Sequence, residues 1–551
     1  MTSTPFVPYD RVLVLALDSV CWEVLLPLAE DGTMPALAAF LKGASYGVLE
    51  STIPPHTAAA WTTWLTGKDP GQHGVVDFVR FDPTQHRFRF HDSSVQRDSS
   101  ILNILSKAGV SCGSIFLPRN YPPYPLENGY IVSGFETPNV RSHFTEPAEL
   151  REDILNVSPN LHFNFEDDWE EDVDDAAFSR NIDRAIGAVE MLESLAVHFQ
   201  RTRPTRVQVA YLQATDILFH KAWKWCDPNS KQTQENPRRR ALIQKFFRRI
   251  DASINRILGL HSSESKRMSG VNSNSKTLRL ICSDHGHGSS EGRIFVNNLL
   301  ADWGYLKPLA GFDKFTRKLA SFSFQKQVRK TRNKEMALDW SRTQAYMAHV
   351  GIHGYVYLNL KGREAHGIVT PQEFHSVRDA LIAKFKAEVI PGTRTPLFQN
   401  VWKGEEIYAR KDEFNLPDIV LAAADGYFPR NKLSHKSPIQ VSPNAVGGVH
   451  RPGGVYAFSG QGVNRNGVMG RKAGIADICP TILAALGQPI PSDVTGKPMQ
   501  FIFEEPPPLS VTTRAPEPAT PSSSGASEQS VYSAEEQLAV EKRLSDLGYL
   551  E

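Results

Sequence analysis

Residues 12–18 read VLVLALD, six apolar residues that stop at the carboxylate of Asp18. The pattern recurs twice. VQVAYL at 207–212 leads into Asp216, with His220 one helical turn further on, and LRLICS at 278–283 stops at the adjacent pair Asp284-His285. Continuous apolar runs of strand length suit strands buried on both faces, as in a parallel sheet covered by helices. In open α/β sheets the carboxyl ends of such strands converge on one crevice. Acids and imidazoles delivered there from distant parts of the chain form a candidate divalent-metal site. A fourth piece, Gly447-Gly448-Val449-His450, adds an imidazole from far downstream.

The intervening segments fit the same plan. Trp22 to Leu41 reads as a helical region broken at Gly32, and Ala58 to Leu65 as a helix that follows Pro54-Pro55 and ends at Gly67. Arg180 to Gln200 is apolar at helical spacing (Ile182, Ile186, Val189, Leu192, Leu195), and so is Ala241 to Leu258. These last two bracket VQVAYL in β-α order. The expected fold class is therefore α/β, with a mainly parallel central sheet flanked by helices.

From Phe295 to Val441 the rhythm changes. A basic segment, Lys314 to Lys334, precedes the strand-like GYVYLNL (354–360), a helix over Pro371 to Glu388 and a second strand-like run, DIVLAA (418–423). The expected organisation is a catalytic core of residues 1–300 and 441–503 with an inserted α+β cap subdomain at 301–440. Residues 504–531 are rich in Pro, Ser and Thr and read as a disordered linker. Residues 532–551 read as an amphipathic helix with Leu538, Val540, Leu544 and Leu547 on one side, suited to docking on the core or on a partner.

Composition narrows the class. The chain has 551 residues, more than one simple core usually holds, and its 61 Lys and Arg against 60 Asp and Glu leave a net charge of +1. No nucleic acid polymer is expected as a partner. Five scattered cysteines without a C-x-x-C pair argue against a disulfide framework and a thiolate zinc site, and for a reducing compartment. The N-terminus lacks the features of a signal peptide, and no run reaches the ~18 apolar residues of a membrane span. A cytoplasmic protein is the expectation; the oligomeric state is not legible.

Among the candidate site residues, Asp216 and His220 at i, i+4 share one helical face and can reach one ion. Asp284-His285-Gly286 turns tightly at a strand end, where Gly286 eases the backbone. Asp18 is a candidate ligand, although an acid at a strand end also serves for solubility or as a helix cap. Thr57 precedes the helical run AAAWTTWL at 58–65 and admits two roles. It can cap the helix, or it can be a nucleophile, since a helix N-terminus favours a phosphate placed over it. A threonine hydroxyl then needs a base or a metal to activate it. His56 reads as a loop histidine, the acidic run Glu166 to Asp175 as a solvated segment, and Arg451 as a partner of phosphate or of an acid.

In order along the chain stand Asp18, PPHTAAAWTTWLTGKDPGQHGV (54–75), Asp216-x3-His220, SDHG (283–286), GVHRPGGVYAFSG (448–460) and ADICPTILAALG (476–487). This series resembles the alkaline phosphatase superfamily, more narrowly its type I phosphodiesterase/nucleotide pyrophosphatase branch and the predicted phosphohydrolase/phosphomutase group. It extends from about Arg11 to Pro498. The resemblance implies an alkaline phosphatase-like core with two divalent ions, Zn²⁺ or alternatively Mn²⁺. One would be held by Asp216, His220 and His450, the other by Asp18, Thr57, Asp284 and His285. Thr57, ten residues before Gly67 of the Thr66-Gly67 motif, would be the nucleophile and form a phosphothreonine.

The implied activity is hydrolysis of a small-molecule phosphodiester or phosphomonoester. A phosphomutase or phosphotransferase using the same site is the alternative, and a non-catalytic metal-binding interaction protein a further one. Sulfatase chemistry is disfavoured because Thr57 cannot supply a formylglycine. With that ligand set full, His287 reads as a neighbour of the site. Phe78 stands where the nucleotide-pyrophosphatase branch carries a phosphate-binding Asn, which removes one expected donor.

Overall fold

The three apolar runs form the strands Arg11–Leu17, Val207–Leu212 and Thr277–Cys282, which lie side by side and parallel within a nine-stranded sheet. The register pairs Leu17 with Leu212 and Ala16 with Cys282. The strands therefore end level, and the acids that follow them leave the sheet at one edge. Across the sheet the order is Ala473–Gly474, Ala44–Glu50, Gly453–Ser459, Thr277–Cys282, Arg11–Leu17, Val207–Leu212, Cys112–Ile115, Gly129–Val132 and Thr145–Glu146. Gly453–Ser459 runs antiparallel to both its neighbours, and Thr145–Glu146 to Gly129–Val132; the other pairs are parallel. The mainly parallel α/β sheet is the one expected from the sequence.

The computed structural model describes residues 6–163, 169–170, 174–230, 234–260, 275–309, 338–348, 351–433, 437–442, 445–465, 471–513 and 531–546. The basic segment 314–334, most of the Pro/Ser/Thr-rich stretch and much of the acidic run at 166–175 lie outside these residues. Two compact units are present. The first comprises Met1–His73, Asp92–Ser289 and Val446–Leu547 and contains the nine-stranded sheet; the second comprises Gly74–His91, Ser290–Ala445 and Gly548–Glu551. Besides the 301–440 segment, the second unit thus includes the hairpin of Val79–Asp82 and Arg87–Phe90 from early in the chain. It also has a four-stranded antiparallel sheet built from Ala345–Met347, His353–Leu358, Ile419–Ala423 and Phe398–Lys403.

In the first unit, the helical region after the first strand divides into Trp22–Glu30 and Pro35–Lys42, with Gly32 at a positive φ of 78° between them. Pro35 opens the second piece, where its missing N–H is no loss. No side chain at Met34 caps that helix. Its N-terminal donors are met instead by Asp251, on helix Pro237–Ile257, which accepts from the Ala36 N–H at 2.9 Å and the Leu37 N–H at 2.8 Å. At the far end of the chain, helix Ala534–Asp546 packs on the first unit. Arg543 donates to the carbonyls of Phe135, Thr137 and Pro138, and Tyr532 stacks on Tyr121 with ring centroids 5.4 Å apart.

Among the described residues, no single helix is long and apolar enough to cross a membrane. Asp251 is 5% exposed, so replacing it strands two buried donors. Asp251→Ala is expected to destabilise the first unit by about 1–3 kcal/mol, read as a lowered thermal unfolding midpoint by circular dichroism.

Candidate metal centre

Helix Thr57–Thr66 is buried at every position. Such a helix needs its polar side chains satisfied internally. Thr62 and Thr66 donate back to the carbonyls of Ala58 at 2.7 Å and Thr62 at 2.8 Å. Gly67, left-handed at φ 68°, closes the helix where a β-carbon would come within 2.8 Å of Val494. At the other end, Nδ1 of His56 accepts from the Ala58 N–H at 3.2 Å. His56 is thus the cap, in place of the loop histidine read from the sequence, and Thr57 is the first helical residue rather than the cap. Thr57 Oγ1 lies 3.2 Å from His285 Nε2.

Two groups of potential ligands meet at the strand ends. The ligand atoms of Asp18, Asp284 and His285 lie within 4.8 Å of one another, and so do those of Asp216, His220, His287 and His450. The two groups contain the expected carboxylates and imidazoles, Thr57 stands beside His285, and the second group also includes His287. His287 pairs directly with His450 across the antiparallel strands Gly286–Ser289 and Gly448–Arg451. A β-carbon on Gly448 would lie 2.5 Å from the His287 ring, so the glycine makes room for that imidazole.

Asp216 sits in the first turn of helix Ala214–Cys226, and its Oδ1 is 3.3 Å from both His220 Nε2 and His450 Nε2. His450 Nδ1 is 3.1 Å from the carbonyl of Pro55. A carbonyl only accepts, so Nδ1 carries the proton and the Nε2 lone pair faces Asp216 and His220. The two Nε2 atoms of His220 and His450 stand 2.8 Å apart. The same reasoning applies to His285, whose Nδ1 is 3.2 Å from the carbonyl of Gly286. Its Nε2 lone pair then points toward Thr57 Oγ1, toward Asp284 Oδ2 at 3.2 Å and toward Asp18 Oδ1 at 3.8 Å.

The electrostatics describe a centre short of positive charge. Burial, with the charges of Asp284 and Asp216, pushes the Asp18 carboxyl well above the usual range. Burial and the Asp216 charge carry Asp284 up to about 6. Burial alone would raise Asp216 as well, but His220, His450 and His287 outweigh it and hold that carboxyl well below its ordinary value. Burial lowers His220 to about 4 and, with neighbouring imidazoles, holds His285 and His287 well below theirs. Neutral imidazoles and ionised carboxylates are the forms that bind a cation.

Two oxygens, Asp18 Oδ1 and Asp284 Oδ2, are buried with no hydrogen-bond partner among the described residues. Orphaned acceptors beside converging imidazole lone pairs fit a hard or borderline divalent ion. The donor set thus suits the metal that the sequence implied. Tyr211 and Ser19 support it, and sequence reading passed over both. Tyr211, the penultimate residue of the apolar strand preceding Asp216, donates to Asp18 Oδ2. Phe78, at the position of the missing phosphate donor, is buried in the second unit.

A mainly parallel α/β core with two acid–imidazole groups at its carboxyl edge defines an alkaline phosphatase-like protein with a candidate divalent-metal centre. The profile of the type I phosphodiesterase/nucleotide pyrophosphatase family matches residues 12–452, and the chain belongs to that family. Membership and the two residue groups support phosphoester hydrolysis. Phosphonoacetate hydrolase from Sinorhizobium meliloti 1021, solved with phosphonoacetate, is similar at 14% identity over 87% of this chain and 96% of that one, with a TM-score of 0.53. That likeness is one of fold. Murine ectonucleotide pyrophosphatase/phosphodiesterase 5 is 14% identical over 87% of this chain and 95% of its own, with a TM-score of 0.47. Comparison with curated proteins finds no match.

Tyr211→Phe removes the donor that orients Asp18 while keeping the ring. It is expected to weaken divalent-ion binding by roughly 10–100-fold, measured by competition with a chromophoric chelator, with the far-ultraviolet circular dichroism unchanged.

Proposed function

We propose that the protein hydrolyses a small phosphoester through Thr57, with Asp216, His220 and His450 holding one divalent ion and Asp18, Thr57, Asp284 and His285 the other. The observation that carries this reading is the Thr57 hydroxyl, fixed on a buried helix 3.2 Å from His285 Nε2, the same nitrogen that faces two carboxylate oxygens unpaired among the described residues. Zn²⁺, or Mn²⁺ in its place, would lower the pKa of the Thr57 hydroxyl and offset charge on the leaving oxygen. Thr57 Oγ attacks phosphorus and the bond to the organic leaving group breaks. The resulting phosphothreonine is then cleaved by water, which returns the hydroxyl of Thr57 and releases phosphate, or a monoester where the substrate is a diester. The dipole of helix Thr57–Thr66 favours the anion throughout.

The chain's own residues divide the work. Asp18, Asp284 and His285 form the group whose imidazole stands 3.2 Å from the Thr57 hydroxyl, whereas Asp216, His220 and His450 form the group assigned to the leaving oxygen. Thr57→Ala is expected to reduce turnover of a chromogenic phosphomonoester and phosphodiester by about 10³-fold or more, with ions still bound. Equal activity in that variant would remove Thr57 from the mechanism. Metal analysis that finds bound ions but no Thr57-dependent turnover on any ester would leave a binding protein instead.

The two assigned ligand sets are separable by substitution. Asp216→Asn is expected to lose one ion per chain and to slow esters with poor leaving groups most. Asp284→Asn is expected to lose the other ion and to slow all esters alike. Metal content by atomic emission and rates across leaving groups of graded pKa distinguish the two; full content and full rate in both variants would refute the ligand assignment.

A further inference from the structure

Ser19 follows Asp18 in the chain and is completely buried, with its backbone in the left-handed region at φ 65°. That conformation favours glycine and strains a residue with a β-carbon. A serine retained there calls for a role for its hydroxyl. Its backbone N–H donates to Asp284 Oδ1 at 3.2 Å. Its hydroxyl donates to Asp216 Oδ1 at 2.5 Å, and its oxygen lies 3.1 Å from both His285 Nδ1 and His287 Nδ1.

The proton count gives these contacts a direction. A serine hydroxyl has one proton and two lone pairs. With the proton on the carboxylate side, the lone pairs accept from the two imidazoles. The carbonyl of Gly286, 3.2 Å from His285 Nδ1, requires the same protonation of that nitrogen. Ser19 thereby directs the His285 Nε2 lone pair toward Thr57 and Asp284, and holds the Asp216 oxygen that faces His220 and His450.

We propose that Ser19 is a positioning residue that ties the two ion sites together, one hydroxyl orienting Asp216 of the first and His285 of the second. The inference rests on the two-ion reading above. Fixing Asp216 around one ion fixes the Ser19 hydroxyl and with it the ring of His285, so each site is better formed when the other is filled. The coupling is reciprocal, as linkage requires. His287, bonded to the same oxygen, belongs to this framework.

Ser19→Gly is the decisive variant, because glycine suits φ 65° and removes the hydroxyl while relieving backbone strain. Ser19→Ala removes the hydroxyl and keeps the β-carbon. Zn²⁺ affinity and stoichiometry are measured on the full chain by chelator competition, and the absorption spectrum of the Co²⁺-loaded protein reports ligand geometry. Both variants are expected to bind each ion roughly 10–100-fold more weakly than wild type and to shift the Co²⁺ bands, with the thermal midpoint of Ser19→Gly no lower than that of the metal-free wild type. Unchanged affinity for both ions, or a loss confined to one, overturns the proposal. Fewer than two ions in the wild type overturns the two-ion reading and this proposal with it, whereas two ions in the wild type with unaffected variants overturns Ser19 alone.

Discussion

Three carboxylates, Asp18, Asp216 and Asp284, are buried at one edge of a parallel sheet, and the surrounding structure follows from the electrostatic cost of that arrangement. A single ionised carboxylate is expensive to bury, and three near one another repel as well. The protein answers with hydrogen bonds where it can. Tyr211 donates to the Asp18 carboxyl, and Ser19 donates to those of Asp216 and Asp284. These leave Asp18 Oδ1 and Asp284 Oδ2 unanswered and both carboxyls raised. Imidazoles alone do not close the gap, since burial and mutual repulsion keep His285 and His287 neutral. A divalent cation held by these two groups would supply the missing charge without adding side chains.

The parallel sheet makes the arrangement possible. Each of the central strands Arg11–Leu17, Val207–Leu212 and Thr277–Cys282 delivers its acid at its own carboxyl end, and level register puts these ends together. An antiparallel sheet would send alternate strand ends to opposite edges. The antiparallel pair Gly286–Ser289 and Gly448–Arg451 then brings His450 back to the same edge opposite His287. Backbone carbonyls at Pro55 and Gly286 accept from Nδ1 of His450 and His285, so the main chain takes part in aiming both imidazole lone pairs.

What was legible in the sequence was the part governed by local pattern. The apolar runs ending at Asp18, Asp216 and Asp284 announced strands and their edge, and the spacing of Asp216 and His220 announced a shared helical face. The supporting residues carry no such pattern. Tyr211 within VQVAYL looks like any aromatic of a buried strand, and only the register that sets it beside Asp18 reveals its hydroxyl. Ser19 looks like a polar residue after a strand, because its left-handed backbone is invisible in one sequence. His287 reads from the sequence as a neighbour of a full ligand set, and its place in the second group depends on cross-strand pairing with His450, a contact between distant segments. The hairpin at residues 79–90 joined the second unit for the same reason: nothing local ties it to residues beyond 290.

Thr57 illustrates how tertiary context sets aside one of two chemically reasonable roles. A threonine before an alanine-rich helix is an ordinary cap, and sequence alone left that reading open. In the fold His56 accepts the Ala58 N–H, and Thr57 enters the helix itself. Its χ1 is restricted by β-branching, and the helix around it is buried throughout. The hydroxyl is therefore held against His285 with little conformational freedom left to lose on reaching a reactive geometry. Positioning of this kind contributes to catalysis by removing entropy from the barrier before substrate arrives. Further along the same helix Thr62 and Thr66 bond their own backbone and Thr63 meets His73 Nε2 at 2.9 Å, so these hydroxyls are engaged away from Thr57.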